Sequence, residues 1–390
     1  MPLVRWLIVG AGESHNIFEY VFSNISDVLF GLGIILFYRE FLEGIMKNWK
    51  LFGIWIVLVL LGSEVSYINS GHQLKVVVFG LKLTYLPFLV YFIGNSVNDE
   101  EREKMKFNYF IFVLIYCILS IGFHLFYFDF EKKVIISNEH LVGEYFIPRT
   151  GGFLFTPVPF AMMLSIAAFF GTIHFLFSKN SLWTTTMQLF ILFTGMAYSV
   201  TRVGLMGFLV VFILILFVYK IKDIKKILSV ILLYFFSLLI VFQSVKPILW
   251  MFFSSKETIT ISEGVTRAEL WKRSWKSFQE KPILGYGIGM AGAGAVRHFK
   301  ESPDKAAVYT TDDWYLKVLN EVGIVGTILF LIILYLIVLP IIKNYTLFPF
   351  EISLILFFLI SAVFNNSFDF FPLNMLFYYL LGSAKSGLKE

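Results

Sequence analysis

Long apolar stretches, each close to the thickness of a bilayer, recur along this sequence and restrict it to a membrane fold. A helix needs about 20 mostly apolar residues to cross the hydrocarbon. Of the 390 residues, 58% are apolar and 15% are charged, which excludes an ordinary soluble globular protein. We therefore expect an all-α, polytopic membrane protein with about 11–12 transmembrane helices, in which residues 1–390 form a single integral membrane domain. The predicted spans are residues 17–38, 50–68, 74–95, 107–128, 153–177, 183–201, 203–219, 227–245, 320–342, 350–368 and 371–384.

The distribution of Lys and Arg between the spans predicts the orientation of the chain. Every second connection is rich in these residues, and such connections stay on the cytoplasmic side. The alternate connections are poorer in positive charge and include residues 129–152, the short turn at Arg202 and the long segment 246–313. We expect residues 246–313 to form one large extracytoplasmic loop with short helices. The residues that mark the cytoplasmic side are Arg39, Lys47, Lys50, Arg102, Lys104, Lys106, Lys179, Lys220, Lys222, Lys225, Lys226, Lys343, Lys385 and Lys389.

Composition and sequence patterns exclude several functional classes. Cys117 is the only cysteine, so an intramolecular disulfide and a cysteine-based metal site are both impossible. The net charge of +5 is explained by membrane orientation, and we assign no nucleic-acid partner. Gly287, Gly289 and Gly292 fit the dinucleotide-binding pattern, but that pattern has force only within a βαβ unit, which the sequence does not predict. We expect these glycines to allow a tight re-entrant backbone, and we expect no cofactor and no metal.

Two arginines lie where apolar segments begin on the outer side. Arg149 precedes Thr150 at the entry of a span, and Arg202 lies in a tight turn between two apolar segments. An arginine beside lipid either reaches the headgroups or faces a polar cavity that holds an anion. Both readings stay open for Arg149, whereas the tightness of the turn favours an anion-binding cavity for Arg202.

The long loop contains a predicted amphipathic helix. Thr266 and Glu269 have the spacing of a capping box, which marks a helix start. Such a helix would lie on the membrane surface, with its tryptophans serving as interfacial anchors. Arg267 in the first turn presents a fork of donors suited to a phosphate. The apolar positions are Trp271, Trp275 and Phe278, and the basic positions opposite them are Lys272, Arg273 and Lys276.

Two adjacent carboxylates, Asp312 and Asp313, stand where the next apolar helix begins. They have two readings, and the simpler is an N-terminal cap favoured by the helix dipole. The other is a cavity shared with the arginines, which could hold a pyrophosphate and deprotonate a hydroxyl. Lys82, Tyr315 and His298 are further candidates for lining this cavity, although the lysine could instead extend along its stem to the membrane surface.

Several of these elements follow one another in an order that resembles a known superfamily. They are a Thr-Arg turn between spans, an Arg-x-x-x-Trp helix, a Pro-x-x-Gly-x-Gly element, an Asp-Asp-x-Tyr-Leu segment and a Glu-x-Gly-x-x-Gly segment. Together, over residues 149 to 330, they resemble the O-antigen polymerase and O-antigen ligase superfamily. The resemblance implies a metal-independent glycosyltransferase with a GT-C-like fold. It implies transfer of a glycan from undecaprenyl pyrophosphate to an acceptor hydroxyl at the periplasmic face of a bacterial inner membrane.

The resemblance also implies roles for individual residues and partners. Arg202 and Arg267 would bind the pyrophosphate, with Arg149 a further candidate. Asp312 would activate the acceptor, with Asp313 and Arg267 sharing the catalytic site. The implied partners are an undecaprenyl-pyrophosphate-linked oligosaccharide, the lipid bilayer and a separate chain-length regulator protein.

The carboxylate pair bears on the branch of the superfamily. Ligases, which transfer glycan to lipid A core, typically carry His-Asn at the positions of Asp312 and Asp313, whereas polymerases commonly carry Asp. We therefore expect an O-antigen polymerase. A ligase, a lipid-linked oligosaccharide transporter and a glycan-strand polymerase of peptidoglycan remain alternatives.

Overall fold

A computed structural model of the chain describes residues 31–126, 140–142, 145–147, 150, 157–177, 182–244, 267–292, 295, 313–370 and 372–386. The described residues are predominantly helical, which satisfies backbone N–H and C=O groups within each segment, as lipid requires. A small antiparallel hairpin pairs β1 (His140–Val142) with β2 (Tyr145–Ile147). The helices are α1 (Tyr38–Lys47), α2 (Trp49–Asn69), α3 (Leu74–Gly94), α4 (Asp99–Phe126), α5 (Pro157–Phe177), α6 (Leu182–Ser199), α7 (Arg202–Val218), α8 (Ile224–Ser244), α9 (Arg267–Glu280), α10 (Trp314–Lys343), α11 (Pro349–Phe364) and α12 (Leu373–Ser386).

Six of the described helices are long and apolar enough to cross a membrane, and two shorter apolar helices, α7 and α11, accompany them. The predicted all-α polytopic membrane fold is confirmed. Residues 17–30 of the first predicted span, 17–38, lie outside the described residues, as does most of the predicted loop 246–313. The six long helices are Trp49–Asn69, Leu74–Gly94, Asp99–Phe126, Pro157–Phe177, Ile224–Val241 and Trp314–Lys343.

Aromatic rings and small residues pack the helices together. Phe169 on α5 stacks on Phe208 of α7 with ring centroids 4.9 Å apart. A Cβ atom on Gly204 would approach the Cβ of Ala161 to 2.6 Å, so glycine is what lets α7 approach α5 this closely. Such close packing matters because lipid is as apolar as the side chains and gives no hydrophobic force between helices.

The predicted boundaries differ most at the starts of α4 and α10; α4 begins at Asp99, eight residues before the predicted span 107–128. The predicted span 320–342 begins six residues earlier, at Trp314, because Asp313 caps the helix there. α3 matches the predicted span 74–95 but is not regular throughout: between its α-helical parts, Leu74–Gly80 and Val90–Gly94, it passes through a π turn and a 3₁₀ turn. Pro87 lies in the 3₁₀ turn, where its missing N–H and fixed φ are tolerated.

The connections that are rich in Lys and Arg meet at one end of the bundle. Lys106 Nζ on α4 lies 2.6 Å from Glu351 Oε1 on α11. Lys385 Nζ on α12 donates to Asn48 Oδ1 at 2.7 Å. Residues predicted to be cytoplasmic are therefore neighbours in space. The segment after α9, residues 281–292, which we call the glycine-rich segment, lies at the opposite ends of α2 and α3.

Candidate functional site

The first part of α10 is a separate short helix. Gly323 has φ 61° and ψ −167°, which interrupts the helix between residues 322 and 324. Asp313 forms its N-cap, and Asp313 Oδ1 accepts a hydrogen bond from the Leu316 N–H at 2.8 Å. The capping reading of Asp313 is thus correct. Burial raises the pKa of the Asp313 carboxyl above its usual range, against the opposing effect of the Leu316 and Tyr315 N–H groups.

The glycine-rich segment supplies hydrogen-bond partners for the backbone groups that the interruption in α10 leaves free. Normally Asn320 and Glu321 C=O would accept from N–H groups four residues on, and Gly323 prevents this. The Tyr286 and Gly287 N–H groups donate to these two carbonyls instead, at 2.8 and 2.7 Å. In return, the Ile324 and Val325 N–H groups donate to the carbonyls of residues 282 and 283, at 2.8 and 3.2 Å. A broken helix at membrane depth is stable only when its freed groups find such partners.

At two positions of this segment, any residue other than glycine would force the backbone to move. Gly285 has φ 69° and Gly287 has φ 105°, both in the left-handed region. A Cβ atom on Gly287 would lie 2.1 Å from the Ser66 Cα on α2. Ser66 Oγ in turn donates to the Ile288 C=O at 2.6 Å. The tight backbone that the glycines predict is confirmed.

Helix α9 begins at Arg267 and packs on the first part of α10. The Asn320 side-chain amide donates to the Ser274 C=O and lies equally close to Ser274 Oγ, both at 3.0 Å. The buried face of α9 runs through Leu270, Ser274 and Phe278, whereas Trp275 is 49% exposed. The predicted basic positions are exposed. Of the predicted apolar positions, Phe278 is buried and Trp271 is half-buried, so only Trp275 departs from the prediction. The exposed basic residues are Lys272, Arg273 and Lys276.

This contact places two predicted site residues at the same end. α9 and the first part of α10 run in the same direction, since Ser274 meets Asn320, and residues 282 and 283, directly after α9, meet residues 324 and 325. Seven residues before the contact lie Arg267 on α9 and Asp313 on α10. At the helical rise of 1.5 Å per residue, each position lies about 10 Å from the contact.

The turn that carries Arg202 is compact and strained. Val200 has φ 49°, which is rare for a β-branched residue and indicates a backbone held by its surroundings. Ser199 and Thr201 are buried in the turn, with their hydroxyl oxygens 3.1 Å apart. Arg202 is exposed at the first position of α7. The predicted tight turn is confirmed, and it directs Arg202 outward.

The backbone after Arg149 reaches the same turn. The Thr150 N–H donates to the Tyr198 C=O at 3.1 Å, and Thr150 is fully buried there. Arg149, His298 and Asp312 themselves lie outside the described residues, as does the Arg267 side chain.

The two remaining candidates for the cavity have structural surroundings of their own. Lys82 is half-buried in the π turn of α3. Tyr315 is half-buried, and its hydroxyl donates to the Leu359 C=O on α11 at 2.9 Å. Tyr315 therefore ties the start of α10 to α11.

A buried ionic cluster, which we call the Lys317 cluster, escaped the sequence analysis. Lys317 Nζ lies 2.8 Å from Asp369 Oδ2 and 3.4 Å from Glu321 Oε2. It also donates to Thr84 Oγ1 at 2.7 Å, and Thr84 Oγ1 donates to Asp369 Oδ1 at 2.8 Å. Glu321 Oε1 accepts the Gly289 N–H at 2.9 Å. The cluster is almost fully buried and joins α3, α10, the glycine-rich segment and the turn before α12.

One sequence signal pointed to this cluster. Lys317 and Glu321 are four residues apart, hence on one face of a helix, in an apolar stretch where ionisable residues are rare. Asp313 precedes Lys317 by the same interval, so three ionisable positions follow one helix face below the cap. In the described part of the chain, His, Cys, Asp and Glu form no group of three or more that could hold a metal.

Comparisons with known proteins cover this region. Residues 187–331 match the O-antigen ligase family, a range that includes Arg202, Arg267 and the first part of α10. The ComP-specific O-oligosaccharyltransferase of Acinetobacter baylyi (strain ATCC 33305 / BD413 / ADP1) is 25% identical over 313 residues, which are 74% of this chain and 53% of that protein. The chain thus spans about half the length of this relative. These matches confirm the superfamily that the sequence predicts, and they do not separate its branches.

Proposed function

We propose that this chain, a member of the O-antigen polymerase and O-antigen ligase superfamily, transfers glycan from undecaprenyl pyrophosphate to the hydroxyl of another lipid-linked repeat unit. The reaction takes place at the periplasmic face of a bacterial inner membrane. The observation that carries the proposal is the placement of Arg267 and Asp313 at the starts of two adjacent helices that run in the same direction.

The chemistry needs a cationic end and a proton acceptor close together. The acceptor hydroxyl oxygen forms a bond to the anomeric carbon, and the bond from that carbon to the pyrophosphate oxygen breaks with its electrons on the pyrophosphate. Arg202 and Arg267 stabilise the negative charge that develops on this leaving group, with Arg149 a third candidate. The hydroxyl proton passes to a carboxylate at the start of α10, for which Asp312 is the first candidate and Asp313 the second.

The raised pKa of Asp313 supports its candidacy. An aspartate with an ordinary pKa of about 3.9 is a weak base. Burial disfavours the charged form and makes the carboxylate a better proton acceptor. Asp313 Oδ1 is occupied by the cap, which leaves Oδ2 as the oxygen for this role.

A second acceptor class is favoured by one observation. The relative that matches 74% of this chain is named an O-oligosaccharyltransferase, specific for ComP. A chain of this kind could therefore transfer glycan to a hydroxyl on a protein. Lipid A core, as in a ligase, is the third acceptor to compare.

The test is reconstitution of the purified protein in liposomes with undecaprenyl-pyrophosphate-linked repeat units. Separate reactions contain the lipid-linked unit alone, added lipid A core, or an added acceptor protein, and products are resolved by length. We expect a ladder from the lipid-linked unit alone. Transfer only to lipid A core or only to protein would contradict the polymerase assignment, and no covalent product in any reaction would contradict glycosyl transfer.

The arginine assignments are tested in the same liposomes. Arg267→Ala and Arg202→Ala are expected to lower transfer by about a hundredfold, the usual effect of losing one charge-stabilising group. Arg273→Ala is the matched control, because Arg273 lies on the exposed face of the same helix. Normal product length in both Arg267→Ala and Arg202→Ala would contradict the pyrophosphate assignment.

A further inference from the structure

The contact between Asn320 and Ser274 is a buried polar tie between α9 and α10. Asn320 is fully buried, and Ser274 is 1% exposed. The Asn320 Nδ2 lies 2.8 Å from the Leu316 C=O and 3.0 Å from both the Ser274 C=O and Ser274 Oγ. Two backbone carbonyls at these positions fix the side-chain amide with its nitrogen toward Ser274, because only the NH₂ group can donate.

This tie has a directional effect that apolar packing would not give. Apolar contacts allow two helices to slide and rotate at small cost, whereas a hydrogen bond weakens steeply when its angle falls below about 120°. Ser274 lies in the middle of α9, where one buried hydrogen bond fixes both the rotation and the height of that helix. The neighbouring buried positions of α9 include Leu270 and Phe278, whose contacts are apolar.

The first part of α10, residues 314–322, is also held by a second set of contacts. The Lys317 cluster ties it to α3 and to the turn before α12. The first part of α10 is therefore fixed against the bundle, and the Asn320 side chain hydrogen-bonds the middle of α9 to it. In the described part of the chain, Asn320 Oδ1 has no hydrogen-bond partner, so the hydrogen-bonding contribution of this side chain comes from its NH₂ group.

We propose that Asn320 is a positioning residue, which sets the relative placement of Arg267 and Asp313 by holding Ser274. This inference rests on the proposed function, since it concerns residues assigned to the two ends of the transfer reaction. Asn320 acts through the backbone of α9 and does not touch the substrate. A misplacement of about 1 Å between reacting groups can cost about a hundredfold in rate.

The predicted signature is a change in turnover without a matching change in binding. Asn320→Ala should lower kcat by at least about tenfold and change the KM for the lipid-linked donor by less than about threefold, because each group can still bind its own substrate. Ser274→Ala removes Oγ and keeps the backbone carbonyl, so its effect should be smaller. Asn95→Ala is the matched control, since Asn95 is a fully buried asparagine at the opposite end, with no side-chain hydrogen-bond partner among the described residues.

A distance measurement tests the geometry independently of activity. In a Cys117→Ser background, spin labels are attached to cysteines that replace Lys272 on α9 and Ile328 on α10, two exposed positions. Asn320→Ala should broaden or shift the distance distribution, and Asn95→Ala should leave it as in the unsubstituted protein. An unchanged distribution in Asn320→Ala, or a changed distribution with normal kcat, would overturn the proposal.

The two failures are distinguishable. If the unsubstituted protein forms no covalent product, the proposed function fails and the spin-label distances alone decide whether Asn320 holds α9. If product forms normally and Asn320→Ala loses turnover at an unchanged distance, the function stands and the positioning role is overturned.

Discussion

At the scale of single residues, Lys317 is the most completely enclosed cation in the described part of the chain. Its side chain is 2% exposed, and it faces the carboxylates of Asp369 and Glu321 together with the Thr84 hydroxyl. One cation between two carboxylates leaves the group with a single net negative charge when all three are ionised. Removing the cation would leave two carboxylates facing each other in a buried site.

We therefore predict that Lys317→Met lowers the free energy of unfolding by about 3–5 kcal/mol, the usual cost of breaking a buried ion pair from one side. Thermal unfolding in detergent measures the effect. Lys276→Met, at an exposed position of α9, is the matched control and should change stability by less than about 0.5 kcal/mol. Equal melting temperatures for the two variants would show that the cluster contributes little.

Asp313 is an N-cap and a proposed proton acceptor, and one pair of substitutions can separate these two roles. Asn is as good an N-cap as Asp, so Asp313→Asn should keep the hydrogen bond to Leu316 and lose the carboxylate. Asp313→Ala loses both, with a cost of about 1 kcal/mol in stability. If Asp313 is the proton acceptor, both variants lose transfer activity, and only the alanine variant also loses stability. Normal activity in Asp313→Asn would leave Asp313 with the cap alone.

The pH dependence of transfer follows from the direction of the Asp313 pKa. Burial raises this pKa, so the proton-accepting carboxylate forms only as pH rises through a value above about 3.9. The rate should therefore fall on the acid side with a midpoint above that of an ordinary aspartate. The free energy of unfolding depends on pH in the opposite direction to the rate. The stabilisation that comes from the raised Asp313 pKa is fully present below about pH 3.9 and is lost as pH rises through that raised pKa. A rate profile whose acid limb lies at or below pH 3.9 would contradict the assignment to Asp313.

At the scale of elements, the glycine-rich segment and α10 form one hydrogen-bonded unit. Gly287→Ala would force a left-handed residue with a side chain, at about 1–2 kcal/mol, and would bring a Cβ into the Ser66 backbone on α2. We predict a lower melting temperature and, through displacement of α10, lower transfer. Gly53→Ala in α2 is the matched control, since its Cβ would meet open space, and alanine there should be neutral or slightly stabilising. A melting temperature for Gly287→Ala equal to that of Gly53→Ala would contradict this account.

Hydropathy predicted most of these elements, because a lipid-facing helix is marked by the run of apolar residues in its own sequence. The predicted spans 50–68 and 153–177 lie within four residues of α2 and α5 at each end. The start of α10 was missed because Asp313 and Lys317 interrupt the apolar pattern that marks a span. The Lys317 cluster was missed because its members are far apart in sequence, with Thr84 and Asp369 separated by 285 positions. The tight turn at Arg202 and the close backbone approach of the glycines were visible, since they are local consequences of residue type.

At the scale of the whole molecule, the charged connections predict which end faces the cytoplasm. Lys222 lies in the connection between α7 and α8, and Lys281 follows α9 at the opposite end; both are exposed. In a Cys117→Ser background, a cysteine at position 281 should react with a membrane-impermeant maleimide once the outer face of the inner membrane is accessible. A cysteine at position 222 should react only after that membrane is opened, because connections rich in Lys and Arg stay inside. The reverse pattern would invert the orientation and place the proposed site on the cytoplasmic side.

The interruption at Gly323 also affects how the chain is made. The part of α10 after Gly323 has about 20 residues, enough to enter the bilayer as a span by itself. The preceding half-helix carries buried charges that enter lipid only at high cost. We infer an order of biogenesis in which residues 324–343 insert first. The outer half-helix then joins them, once the glycine-rich segment, already synthesised, supplies the hydrogen bonds across the gap.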